Sequence, residues 1–231
     1  LAGLGKAEES SFYDALKVES PHPTIIAEVK KASPSAGVLR ENFSLEEING
    51  AYQSAVNVVA ISVITERDHF KGSEDFLTYF AKHNMRKKPL LRKDFLFEPY
   101  QILESKLLGA HAYLLIASLF DKKELSELVA LGLSIGIEPL IEVHAQEELD
   151  MALATKARCI GVNARDLKTF KVDLDKHELL KQLDGSYARV AESGIRNLRY
   201  LMSLSEFCDA ALIGTELVAP KHITAALEAL A

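Results

Sequence analysis

Eight short apolar runs recur along this chain, at 25–30 (IIAEVK), 58–65 (VVAISVIT), 90–95 (LLRKDF), 112–118 (AYLLIAS), 139–143 (PLIEV), 159–165 (CIGVNAR), 190–193 (VAES) and 210–214 (AALIG). Several end in a charged or amide residue just before the chain turns, and a stretch with helical spacing lies between each pair. Runs this apolar suit strands covered on both faces, and parallel neighbours are joined through a crossover, usually a helix. Eight strand–helix repeats therefore predict an α/β fold: a closed, parallel, eight-stranded (β/α)8 barrel of the TIM type. In such a barrel the polar residues at the C-terminal strand ends form the active site.

The length of 231 residues fits one barrel, so a single domain is expected over 1–231, with 1–23 a shortened N-terminal extension holding a short helix near 11–17. Ser44 with Glu47, and Asp121 with Glu124, read as capping boxes that open two helices. Others are expected near 73–83, 99–108, 146–155, 174–183, 197–205 and 222–230. A net charge of -6 gives no general attraction to phosphate backbones and argues against nucleic acid as a partner. No stretch approaches the roughly 20 apolar residues needed to span a bilayer, and no secretory signal opens the chain, so a cytoplasmic protein without a membrane partner is expected. Cys159 and Cys208 suit buried, reduced thiols. The seven histidines form neither HxH nor HExxH, so no metal site is expected, and the GxGxxG, GxxxxGK[ST] and GxSxG patterns do not occur.

Charged residues inside apolar strands need an explanation, because a buried carboxylate or ammonium is costly unless it is paired or wetted by a cavity. Alternation points Glu28 and Lys30 together into the barrel, opposite Val29. A purely structural ion pair is the simpler alternative. Lys93 and Phe95 share one face and Asp94 takes the other. Lys93 is a candidate acid, its pKa expected to fall toward neutrality through partial burial among other cations. Glu142 stands just before the turn after the fifth run, and His144 beyond it is expected at the core boundary. Asn163 and Arg165 supply an uncharged hydrogen-bonding group and an anion-binding fork. The seventh strand ends in Glu192, Ser193 and Gly194. One snorkelling lysine needs no ligand, but this many charges at the same end of different strands would be hard to sustain without one. Ser193-Gly194 and Gly214-Thr215 close the last two strands, where glycine lets backbone N–H groups approach a phosphate; tight turns alone would also use them.

Read together, IIAEVKKASPS (25–35), ISVITERDHFKGS (61–73), LLRKDF, IEVH (141–144), GVNARDLKTF (161–170), AESG (191–194) and ALIGTELV (211–218) closely resemble the indole-3-glycerol phosphate synthase family, over about residues 12–219. The resemblance implies a phosphate-binding barrel and a cofactor-free carboxy-lyase (decarboxylase) of tryptophan biosynthesis. Its reaction converts 1-(2-carboxyphenylamino)-1-deoxyribulose 5-phosphate to indole-3-glycerol phosphate, with loss of carbon dioxide and water. By similarity, Lys93 is the general acid at the substrate ketone. Glu28, Lys30 and Glu142 manage the proton transfers of dehydration, and which of them is the final base stays open. Asn163 and Glu192 orient hydroxyls and lysines, and Arg165 with Lys30 holds the substrate carboxylate. Ser193, Gly194, Gly214 and Thr215 form the phosphate end, while Ser33, Pro34, Phe70, Phe95 and Leu167 complete the substrate contacts with an apolar wall. The resemblance further implies a monomer or weak homodimer, within a family whose members can be fused to or associated with other tryptophan-pathway enzymes. Two departures stand out. Family members usually carry a longer segment before SFYDAL, including a helix over the site, which makes a phosphosugar-binding barrel with little activity the alternative. Ala164 stands where asparagine is common, and Glu216 beyond the phosphate turn would be unfavourable unless it points away.

Overall fold

Each apolar run forms a strand: β1 Thr24–Val29, β2 Val58–Ile64, β3 Leu90–Lys93, β4 Ala112–Ile116, β5 Glu138–Val143, β6 Cys159–Asn163, β7 Ala188–Glu192 and β8 Ala210–Ile213. This computed structural model describes residues 11–34 and 36–230, so Ser35 and the first ten residues of the expected extension lie outside the described residues. Every strand is parallel to the next, and β8 pairs with β1 to close the barrel. A two-residue hairpin, Ala32–Ser33 against Gly37–Val38, rises from the end of β1.

The crossovers start where capping predicts. Ser44 Oγ accepts the Glu47 N–H ahead of helix Leu45–Ser54, and Asp121 accepts two N–H groups ahead of helix Lys122–Ser134. One segment differs from expectation: Leu174–Gln182 winds as a 3-10 helix. Its buried residues, His177 and Leu180, are three apart, the repeat of that tighter helix. A four-residue helix, Thr215–Val218, follows β8 and is too short to leave a periodic trace in sequence.

Alternation sorts the strand side chains into two cores. Ile25, Val29, Ile61, Leu90 and Ile141 face outward and pack with the helices, while Ile26, Ala60, Leu91, Leu114, Leu140, Cys159, Val190 and Leu212 face inward. Phe12 and Leu16 of helix Phe12–Leu16 join the inner core and are fully buried. Tyr13 Oη donates to Ser186 O at 2.9 Å, and Lys17 Nζ to Asp209 Oδ1 at 3.0 Å, both just ahead of strand starts. The helix thus plugs the N-terminal end of the barrel. Two residues further along the inward face of the same strands stand Glu28, Lys93, Glu142, Glu192 and Gly214. An apolar floor therefore carries a charged layer at the C-terminal mouth.

Candidate active site

A cavity of about 430 Å³ opens over that layer. At its floor Lys93 Nζ donates to Glu142 Oε2 at 2.8 Å and to Glu192 Oε2 at 3.0 Å. Both carboxyl groups are 1% exposed. Strand register makes the cluster: Gly161 lies beside Glu142 and Asn163 beside Glu192, so side chains of β5, β6 and β7 meet at one level. Asn163 Nδ2 donates to Glu142 Oε1 at 2.9 Å, and Asn163 Oδ1 accepts the Arg165 N–H at 2.9 Å. On the opposite face of β3, Arg92 is 2% exposed; it donates to Thr65 Oγ1 at 3.1 Å and Glu104 Oε2 at 2.8 Å, tying the strand end to its neighbours.

These neighbours overturn the expected pKa of Lys93. Burial opposes the ammonium, but the charges of Glu142, Glu192 and Glu28 and the hydrogen bond to Glu142 override it, so the pKa is raised. Its surroundings are anions where cations were expected. The two glutamates sharing this ammonium diverge. Glu142 is held well below the usual carboxylate range: burial works against its charge, and Lys93 and His144 outweigh that. Glu192 is pushed up to about 8 by burial and by the charge of Glu142, which the pull of Lys93 only partly offsets. Glu192 Oε1 has no hydrogen-bond partner among the described residues. Burial and mutual repulsion thus set the two carboxyl groups apart, Glu142 downward and Glu192 upward, and the pair gives up its last proton above the ordinary carboxylate range.

On β1, Lys30 Nζ lies 2.7 Å from Glu28 Oε1, and Glu28 is 3% exposed. A Cβ at residue 214 would stand 2.2 Å from Glu28 Oε1 and 3.0 Å from Lys30 Nζ. Room for this ion pair is thus a reason for Gly214 that its reading as a phosphate turn did not include. Ser193 (φ 67°) and Gly194 (φ 79°) both adopt left-handed backbone in the turn after β7. Glu216 lies 3.8 Å from Arg196, which turns its charge toward a cation at the rim. Along the other wall, the Glu66 carboxylate accepts N–H groups from Asp68, His69 and Phe70, and Phe70 O accepts the Ala32 N–H at 3.1 Å. Those bonds fix Phe70 against the cavity, whose lining it shares with Phe95, Leu167 and Phe170.

The sequence profile of the indole-3-glycerol phosphate synthase family matches residues 4–230. An indole-3-glycerol phosphate synthase of Dehalococcoides mccartyi (strain CBDB1) is 43% identical over 94% of this chain and 84% of its own length. The chain belongs to the indole-3-glycerol phosphate synthase family. A synthase of Acetivibrio thermocellus is 43% identical over 92% of this chain and 81% of its own length. Among solved structures, 3-hexulose-6-phosphate synthase from Salmonella typhimurium superimposes with a TM-score of 0.67 at 10% identity, covering 90% of this chain and 96% of that one. KGPDC from Streptococcus mutans gives 0.65 at 11% identity, over 90% and 95%. At such identities these two bear on the barrel alone.

For this synthase-family chain, Glu28, Lys30, Ser33, Pro34, Phe70, Lys93, Phe95, Glu142, Asn163, Arg165, Leu167, Glu192, Ser193, Gly194, Gly214 and Thr215 all line the cavity. Sequence reasoning passed over Glu66, Phe170 and Arg196, which line it too. His144 is half-buried at the edge of the core, as expected, and its ring lies 3.3 Å from Glu142 and 3.2 Å from Glu148, contacts that its place in the sequence did not announce. Gly161 was missed although it left a signal, a glycine at an inward position of an apolar strand. A Cβ there would stand 2.2 Å from Glu192 Oε1. Gly161→Ala is therefore expected to push Glu192 off Lys93 and lower kcat by roughly 10², with the circular dichroism of the folded protein retained. Ordinary turnover in the alanine variant would show that the carboxyl position is unimportant.

Proposed function

We propose that this cavity carries out the family's ring closure, with the charged cluster as the chemical machinery and the 193–194 and 214–215 turns as the phosphate end. The observation that carries the reading is the Lys93 ammonium, 2.8 and 3.0 Å from two buried glutamates at the cavity floor. When the aromatic carbon attacks the substrate ketone, negative charge develops on the ketone oxygen. Lys93 meets it as a fully charged donor, stabilising the alkoxide and passing it a proton. Glu192 lies against Lys93 and holds the ammonium in place. Loss of carbon dioxide restores the aromatic ring, and water then leaves with help from the Glu28, Lys30 and Glu142 groups.

Arg165 and Lys30 hold the substrate carboxylate until it departs, and Asn163 fixes the orientation of Glu142. Phe70, Phe95, Pro34 and Leu167 exclude water around the aromatic ring, with Ser33 at their edge, and this keeps the reacting carbons together. No helix among the described residues is long and apolar enough to cross a membrane. On this reading the chain works in the cytoplasm as one barrel, monomeric or weakly dimeric, acting on a small phosphosugar. The test is indole fluorescence growing in from the anilino-ribulose phosphate with no metal or nucleotide added. Tight binding of that phosphosugar without fluorescence would favour the inactive binding barrel.

A further inference from the structure

His144 follows the last residue of β5 and is absent from the cavity lining, yet it touches the cluster from behind. Its side chain is 10% exposed. Nδ1 lies 3.2 Å from Glu148 Oε2, which also accepts the His144 backbone N–H at 2.7 Å. Nε2 lies 3.3 Å from Glu142 Oε1. A neutral imidazole has one N–H and one lone pair, so either tautomer would turn a lone pair toward a carboxylate. Nε2 makes no aligned hydrogen bond among the described residues, yet with a carboxylate within ion-pair distance of each ring nitrogen the surrounding charge favours the doubly protonated ring.

The ionisable groups facing the ring are Glu142 on its own strand and Glu148 on helix Gln146–Leu153. Lys93 on β3 reaches it only through Glu142, and Asn163 on β6 is uncharged. The neighbouring turn Ala117–Leu119 carries no ionisable side chain. Glu142 therefore accepts from Lys93 and Asn163 and lies within ion-pair distance of His144, whereas Glu192 accepts from Lys93.

We propose that His144 is a positioning residue: as an imidazolium bridging Glu142 and Glu148, it fixes Glu142 as the anionic member of the Lys93 cluster and leaves the shared proton on Glu192. The proposal rests on the catalytic reading of that cluster. The imidazole pKa, raised to about 9 by its two carboxylate partners against the effect of burial, agrees with it.

Nitrogen NMR of the free protein tests it without turnover. At pH 7.5 both His144 ring nitrogens should give imidazolium shifts, and Glu142→Gln should lower the His144 pKa by about one unit or more, as removal of a charge this close does. In His144→Gln the carboxyl pair loses a neighbouring cation and holds its last proton more tightly. The alkaline limb of the kcat profile should then move up by about one pH unit. At pH 7, kcat should fall about 10-fold because the proton is partly redistributed to Glu142, with KM little changed. A neutral His144 ring at pH 7.5, or an unshifted alkaline limb in a folded His144→Gln protein, would overturn the proposal. If Glu142→Gln and Glu192→Gln both remain fully active, the catalytic reading fails instead, and the NMR result stands by itself.

Discussion

Lys93→Ala is expected to lower kcat by about 10³-fold or more, because it removes both the proton donor and the charge facing the developing alkoxide. It also leaves Glu142 and Glu192, each 1% exposed, with no ammonium between them. Uncoupling a buried pair costs roughly 3–5 kcal/mol in general. Here the loss should depend on pH. Without the ammonium both carboxyl pKa values rise, so the folded variant takes up protons that the unfolded chain does not, and its stability recovers as pH falls. Thermal melts of wild type and variant should therefore lie closest near pH 5 and furthest apart near pH 8. Lys93→Arg separates the two contributions: it keeps a cation but cannot release a proton. It should restore much of the melting temperature and little of the turnover. A Lys93→Ala protein that is folded and turns over normally would remove the amine from the chemistry altogether.

The inward positions of this charged layer were readable because parallel barrel strands alternate strictly. Leu91 and Lys93, or Leu140 and Glu142, must share a face, so an apolar strand ending in an inward charge already points to a site at the mouth. What alternation leaves open is which charge meets which. That depends on register between strands distant in sequence, and it put glutamates rather than cations around Lys93, reversing the direction of its pKa. His144 lies one residue beyond β5, where strand parity no longer applies, and its orientation follows from Glu148 four residues on. Gly161 and Gly214 carry no side-chain chemistry, and their purpose becomes visible only when a neighbouring strand's carboxylate occupies the missing Cβ position. The barrel plug formed by Phe12 and Leu16 was legible as a short helix but not as a stopper, since nothing local says which end of the barrel it closes.

The two glutamates on Lys93 should respond in opposite ways to loss of charge. Glu142→Gln replaces an anion between two donors with an amide whose own N–H2 must face one of them, either Lys93 or Asn163. A donor turned against donors leaves a buried group unsatisfied, and kcat is expected to fall by about 10²–10⁴, the range for losing an acid–base group. Glu192→Gln substitutes a near-isostere for the carboxyl group whose pKa is raised to about 8; its amide oxygen can still accept from Lys93, so the loss at pH 7 should stay within about 10-fold. The pH profiles carry the sharper distinction. In the wild type, Glu192 ionises as pH rises through about 8. Lys93 then faces two full charges, becomes a weaker acid, and kcat declines. Glutamine cannot ionise, so the Glu192→Gln profile should stay flat through pH 8. Stability follows the same linkage. A carboxyl whose folded pKa is raised contributes stability that is present below the ordinary carboxylate range and is lost as pH climbs toward about 8. Glu192→Gln should abolish that slope in melts taken from pH 5 to pH 9. If Glu192→Gln instead proves the more damaging change at pH 7 while Glu142→Gln remains active, the proton sits on the other carboxyl group, and the assignment of anion and proton carrier must be exchanged.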